Sequence, residues 1–138
     1  MKKDLEFIIL TRQELQIMKV VWDRGVATVK QVCDVISRTK PTAYTTILTL
    51  MGILEDKGAL AHIRQGRAYV YRPLLSRQKA TRNQIRDVVN RFFDGDPEKL
   101  IATVLDSEVT DPDRLPGVKS LLETRGHATG DGRQFVGA

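Results

Sequence analysis

The sequence predicts a mainly α-helical protein with one small β-hairpin, and three observations carry that reading. Apolar residues recur at helical spacing, i, i+3, i+4 and i+7, along most of the 138 residues. Residues 60–74 alone change to strand-like patterning around a glycine-containing loop. Residues 41–58, PTAYTTILTLMGILEDKG, form a helix whose outward face carries threonine where a solvated face would carry Lys and Glu.

The first helix starts at a dense signal. Thr11 and Glu14 form a capping box, and Leu10 with Leu15 makes a hydrophobic staple. Leu15, Met18 and Trp22 then mark its buried stripe, and Gly25 stops it. Thr28 opens a second helix with Gln31 at the capping-box position and Val29, Val32, Val35 and Ile36 on its apolar face; Cys33 lies beside that face as a small inert residue. After a tight break at residues 37–41 comes the threonine-faced helix. Ile47, Leu50, Met51 and Leu54 share its inner face, Thr42 is its expected N-cap and Gly58 its C-terminal stop. At 100° per residue its outer face holds Thr42, Thr45, Thr49 and Gly52, flanked by Thr46 and Leu48. Small hydroxyl and methyl groups suit a helix that must lie close to another surface, and the DNA major groove admits such a helix.

Residues 60–64 and 68–72 read as two strands joined through Gln65, Gly66 and Arg67. Leu60 and Ile63 cannot share a face without a bulge, whereas Tyr69 and Tyr71 point the same way. Arg64 and Arg67 crowd the tip with no acidic neighbour in the loop, an arrangement suited to phosphate or to a narrow minor groove. Three helices followed by a basic-tipped hairpin make a winged helix-turn-helix, expected over residues 1–75.

Residues 76–125 are expected to form a helical dimerisation region. Ile85, Val88, Val89 and Phe92 line a helix that residues 94–95 end; Asp96 caps the next, with Pro97 at its first position and Leu100, Ile101, Val104 and Leu105 along its stripe. A last helical piece begins at Pro116 and Gly117 and carries Val118, Leu121 and Leu122. Pieces this short cannot close a core alone. Their stripes, with the adjacent Phe92 and Phe93, are expected to bury against the same element of a second chain. Residues 126–138 hold four glycines without periodicity and read as a disordered tail.

Composition limits the function further. The net charge of +5 resides in residues 1–75, while residues 76–138 sum to zero. A locally basic half favours a polyanion, because each neutralised phosphate releases condensed counterions. No apolar run approaches a membrane span, the start MKKDLEFIIL does not read as a signal peptide, and the single cysteine forbids an intrachain disulfide. A cytoplasmic location follows as the expectation. His62 and His127 are the only histidines, no nucleophile stands beside a base, and no glycine-rich phosphate loop occurs. Neither an enzyme, a cofactor nor a metal site is expected.

The order of these pieces resembles the penicillinase and methicillin-resistance repressor family (BlaI/MecI-like, with a copper-responsive CopY-type branch). The matching residues are L-T-x-x-E-x-x-I-M-x-x-x-W at 10–22, A-Y-T-T-I-L-T-L at 43–50, K-G at 57–58, G-R-A-Y-V-Y at 66–71 and R-F-F-x-G at 91–95. The resemblance implies a dimeric repressor on a palindromic double-stranded operator, with the threonine helix in the major groove. It places base reading on Thr45, Thr46 and Leu48, where relatives often carry Lys and Arg in place of Thr45 and Leu48. Thr42, Ala43 and Thr49 complete the expected recognition surface, and Arg64, Gln65, Arg67, Thr28 and Lys30 the wing and backbone contacts. Dimer contacts fall on Val88, Val89, Phe92, Phe93, Leu100, Ile101, Val104, Leu105, Leu121 and Leu122. In such repressors of antibiotic-resistance genes a membrane sensor-protease triggers cleavage in the dimerisation helix. The aligned bond is Thr103–Val104, where some relatives have Asn-Phe. The copper-responsive branch ends in a cysteine hook that this chain lacks. Two other readings stay open: a regulator sensing a small molecule between its winged and dimer parts, and a winged helix used as a protein-interaction module.

Overall fold

The structure, a computed structural model, describes residues 5–128, with side chains as far as residue 125. The chain forms two compact units that divide between Val88 and Val89. The first is a winged helix, and every residue buried among those described belongs to it.

Helix α1 (Arg12–Arg24) starts at the expected capping box: the Thr11 hydroxyl accepts from the Glu14 N–H, and Glu14 Oε1 accepts from the Thr11 N–H at 2.8 Å. Its buried stripe is Ile17, Met18, Val20 and Val21 rather than Leu15, Met18 and Trp22. Leu15 and Trp22 are half-buried at its edge. The indole explains the shift, because a buried N–H needs an acceptor and Trp22 finds one at the rim, donating to the Leu75 carbonyl at 2.8 Å.

Helix α2 (Val29–Ser37) has the second capping box, Thr28 with Gln31, and buries Val29 and Val32. Ser37 holds the turn that follows: its Oγ lies 3.3 Å from the Thr42 N–H and 3.2 Å from the Thr42 carbonyl. The Cys33 thiol donates to the same carbonyl. Helix α3 (Tyr44–Lys57) buries Ile47, Met51 and Leu54, with Leu50 packed against the core. Thr42 is not its cap. Ala43 holds that position without a side-chain hydrogen bond, and the Thr42 hydroxyl donates instead to the Lys40 carbonyl at 2.8 Å. Pro41 and the Ser37 bonds hold Thr42 within the turn, one residue too early to reach the first-turn amides. Gly58 stops α3 in the left-handed conformation, φ 93°.

Strands β1 (Leu60–Gln65) and β2 (Ala68–Pro73) pair antiparallel in unbroken register from Leu60 opposite Pro73 to Gln65 opposite Ala68. Only Gly66 and Arg67 lie in the turn, and Gly66 takes the positive φ (64°) that a two-residue hairpin turn needs at its first position. The regular register resolves the conflict between Leu60 and Ile63: Leu60 is buried and Ile63 is exposed. Tyr71 exchanges both backbone hydrogen bonds with Ala27, which ties the hairpin to the α1–α2 loop.

Helix α4 (Arg77–Phe92) crosses the boundary between the units. Its first turns belong to the winged unit: Ala80 joins the core, and buried Asn83 donates to the carbonyls of Leu5 and Ile8 at 2.7 and 3.0 Å. Glu6 pairs with Lys79 and Arg86 along the same edge.

In the second unit, Asp94 (φ 50°) and Gly95 (φ 84°) end α4, and the Asp96 carboxylate accepts from the Glu98 N–H at the start of α5 (Pro97–Val104). A 3₁₀ turn (Pro112–Arg114) leads into α6 (Leu115–Ala128), with Pro116 and Gly117 in its first turn. Helix α6 therefore includes residues 126–128, which the sequence reading assigned to the tail; the rest of that expected tail, 129–138, lies outside the described residues.

Candidate nucleic-acid interface

Helix α3 is anchored from beneath and bare on top. Ile47, Met51 and Leu54 fix its inner face at 1% exposure or less. Thr45, Thr46 and Thr49 are exposed on the other side, with Leu48 beside them at 42%. None of these three hydroxyls makes a hydrogen bond within the described residues. That is informative, because a helical threonine commonly bonds back to its own helix. Thr81 does so to the Arg77 carbonyl and Thr103 to the Lys99 carbonyl, each at 2.9 Å. The α3 threonines keep both donor and acceptor free.

A shallow depression of about 310 Å³ borders this face, lined by Thr45, Thr46, Thr49, Leu50 and Gln13. Gln13 was not among the residues singled out from the sequence, since only packing of α1 beside α3 places it there. Tyr44, the first residue of α3, is also missing from that set; it is 51% exposed at the uncapped helix start.

The orientation of α3 is held by a half-buried ion pair. Lys57 Nζ, in its last turn, donates to Glu14 Oε1 at 2.7 Å and to the Ile9 carbonyl at 3.3 Å. Burial alone would raise the Glu14 pKa. The Lys57 hydrogen bond, the Thr11 N–H and the Lys57 charge together outweigh burial and hold it below the ordinary glutamate range. The capping box was legible in sequence; the second task of Glu14 was not, because its partner is 43 residues away.

The wing is tied to α3 by His62, whose Nδ1 lies 2.6 Å from Glu55 Oε2 and whose ring packs between Tyr69 and Tyr71 at 4.5 and 5.2 Å. Gln65, Arg64 and Arg67 are exposed at or beside the tip. Arg64 donates only to the neighbouring Gly66 carbonyl, and neither arginine has an ion-pair partner among the described residues. Thr28 and Lys30 are differently placed. The Thr28 hydroxyl is committed to its capping box, and Lys30 pairs with Asp34 at 2.9 Å, whose hydrogen bond and charge raise the lysine pKa.

The expected dimer residues lie around the unit boundary and beyond it. Val88, Val89, Phe93, Leu100, Val104 and Leu105 are half-buried, while Phe92, Ile101, Leu121 and Leu122 are exposed. Thr103 and Val104 close the last turn of α5. Among the described residues no cluster could hold a metal ion, and no helix is long and apolar enough to cross a membrane.

A helix pair presenting an unpartnered polar face beside a basic-tipped hairpin defines the class: a winged helix-turn-helix of the DNA-binding type. A family model described as penicillinase repressor matches residues 10–124, and the chain belongs to that family. It is 27% identical over 110 residues to the penicillinase repressor of Bacillus licheniformis, a match covering 80% of this chain and 86% of that one. It is 31% identical over 82 residues to the transcriptional regulator BlaI of Mycobacterium tuberculosis, covering 59% of each. The solved DNA-binding domain of the repressor BlaI superposes with a TM-score of 0.50 at 33% identity, covering 57% of this chain and 93% of that domain. The repressor-family resemblance and the winged fold expected from the sequence both hold.

Proposed function

We propose that this chain is a cytoplasmic transcriptional repressor that binds a palindromic operator as a homodimer. The observation that carries the reading is the free threonine face of α3, held rigid by its buried side and by the Lys57–Glu14 pair. In this reading Thr45, Thr46, Leu48 and Thr49 meet base edges in the major groove. Ala43, at the uncapped start of α3, leaves first-turn amides open to a phosphate, and Thr42 lies beside it. Arg64, Gln65 and Arg67 follow the backbone from the wing. Thr28 and Lys30 are weaker contacts, since each must first release a partner within the chain.

Residues from Val88 onward form the dimer, which sets the spacing of the two half-sites. Release follows cleavage in that region by a protease of a membrane-sensor pathway, the Thr103–Val104 bond being the candidate. Its place in the last turn of an eight-residue helix makes local unfolding into an extended substrate inexpensive.

Selection of bound fragments from the source genome should return an inverted repeat. Arg64→Ala and Arg67→Ala should each weaken binding to all sequences alike and lower the salt slope by about one. Recovery of no repeat, with slopes unchanged in both variants, would remove the DNA reading and leave a protein-interaction module.

A further inference from the structure

The winged unit contains a second concavity, away from the threonine face. Between α1 and the first half of α4 lies a groove of about 500 Å³, a size typical of small-molecule sites. Leu15, Trp22 and Ile85 supply its apolar wall. Trp22 is fixed there, since its N–H is bonded to the Leu75 carbonyl at 2.8 Å. Ile85 is left 47% exposed.

The charges at the rim are one-sided. Arg12, Lys19 and Arg77 line the groove, and among the described residues no carboxylate does. Arg77 lies over the Trp22 ring, 5.3 Å from its centroid, and its charge is offset by Asp23 at 2.7 Å. Arg12 and Lys19 have no ion-pair partner among the described residues. An apolar slot walled by an indole and edged by two uncompensated cations is complementary to a flat aromatic ring bearing a carboxylate. It is repulsive to an amine.

We propose that this groove is an effector site for a flat, apolar organic anion. Occupancy acts on α4, which runs without a break from Ile85 across the unit boundary at Val88. A ligand seated between α1 and α4 therefore biases the helix through which the winged unit is joined to the second unit. The coupling to operator affinity rests on the repressor reading above; the binding site itself does not.

Trp22 is the only tryptophan, so the full-length ¹⁵N-labelled chain gives a single indole N–H resonance. Titration with 2-naphthoate should move that resonance saturably. The uncharged 2-naphthamide, and 2-naphthoate against the double variant Arg12→Glu with Lys19→Glu, should bind at least about tenfold more weakly. Thr81→Phe, an exposed change on the α4 side, should block the site while leaving the fold intact. No saturable shift, or an equal response to the amide, would overturn the proposal. In the second arm, saturating 2-naphthoate should change operator affinity by about tenfold in the parent chain and not in Thr81→Phe. A moving indole with unchanged operator affinity would overturn the effector role. Absence of operator binding with or without ligand would refute the repressor reading, while the indole titration still decides the site.

Discussion

The two units of this chain handle apolar surface in opposite ways. The winged unit closes a core in which Ile17, Met18, Val21, Val32, Met51 and Leu54 lose all contact with solvent. In the second unit no described residue is buried, and Phe92 and Leu121 stand 69% and 67% exposed. Both stretches have stripes of helical period. What separates them is whether the chain brings a facing element to the stripe. Three helices and a hairpin do so for the first unit, while an eight-residue α5 is far below the length at which an isolated helix is stable in water. The first fold is self-sufficient; the second carries surface that the proposed homodimer would cover.

The two kinds of apolar contact should respond to substitution in different ways. Met51→Ala should destabilise the winged unit by about 3 kcal/mol, the usual cost of a buried cavity, independently of protein concentration. Phe92→Asp combined with Ile101→Asp should leave that unit's unfolding unchanged and abolish association, giving monomers with much weaker operator binding. Urea unfolding and sedimentation of both variants make the distinction. A parent chain that stays monomeric at micromolar concentration would end the homodimer proposal.

The next effect concerns how α3 is held. Lys57→Met would strand the Glu14 carboxylate, which is 2% exposed and would keep only the Thr11 N–H. Removing one partner of a buried pair is costly, and because the Lys57 side chain is 34% exposed the loss should be about 2 kcal/mol. The pH dependence follows from the depressed Glu14 pKa. Its contribution to stability is complete above the ordinary value of 4.5 and is lost as pH falls through the lower folded value. The stability gap between parent and Lys57→Met should therefore be constant near neutrality and narrow on acidification below that value. A gap independent of pH would mean that the pair is not what fixes α3.

Local signals were the legible ones. Both capping boxes, the Asp96 cap, the Gly58 stop and the hairpin turn stand in the sequence because each is a bond between residues two to four apart. The misreadings arose where tertiary partners decide. Trp22 moved to the rim for the Leu75 carbonyl, and Thr42 was drawn from its cap by Lys40 and Ser37. The threonine face was readable because a helix period fixes faces. Gln13 and the Glu14–Lys57 tie were not, since no local pattern tells which helix lies beside which.

A smaller effect should separate reading from positioning. Thr46→Ala removes one free hydroxyl and should cost operator binding about 1 kcal/mol, as one lost hydrogen bond does, with stability unchanged. Replacing a contacted thymine with uracil, which lacks only the methyl, should also weaken binding, because threonine and leucine methyls pack against it. If neither change matters while the wing variants still act, α3 positions the protein and sequence is read elsewhere.

The smallest effect tests how closely the partner approaches. Gly52 continues the outer face two turns beyond Thr45, and a Cβ built there meets nothing within 4 Å. Its φ is not positive, so nothing in the fold requires glycine. Gly52→Ala should therefore stabilise the winged unit by somewhat under about 1 kcal/mol, the helix-propensity difference between the two residues. If DNA lies against the whole outer face, the added methyl falls in that contact, and operator affinity should drop even as stability rises. Opposite signs in unfolding and binding, measured on the same variant, would place Gly52 under the bound duplex. A rise in stability with unchanged affinity would limit the contact to the first half of α3, from Tyr44 to Thr49.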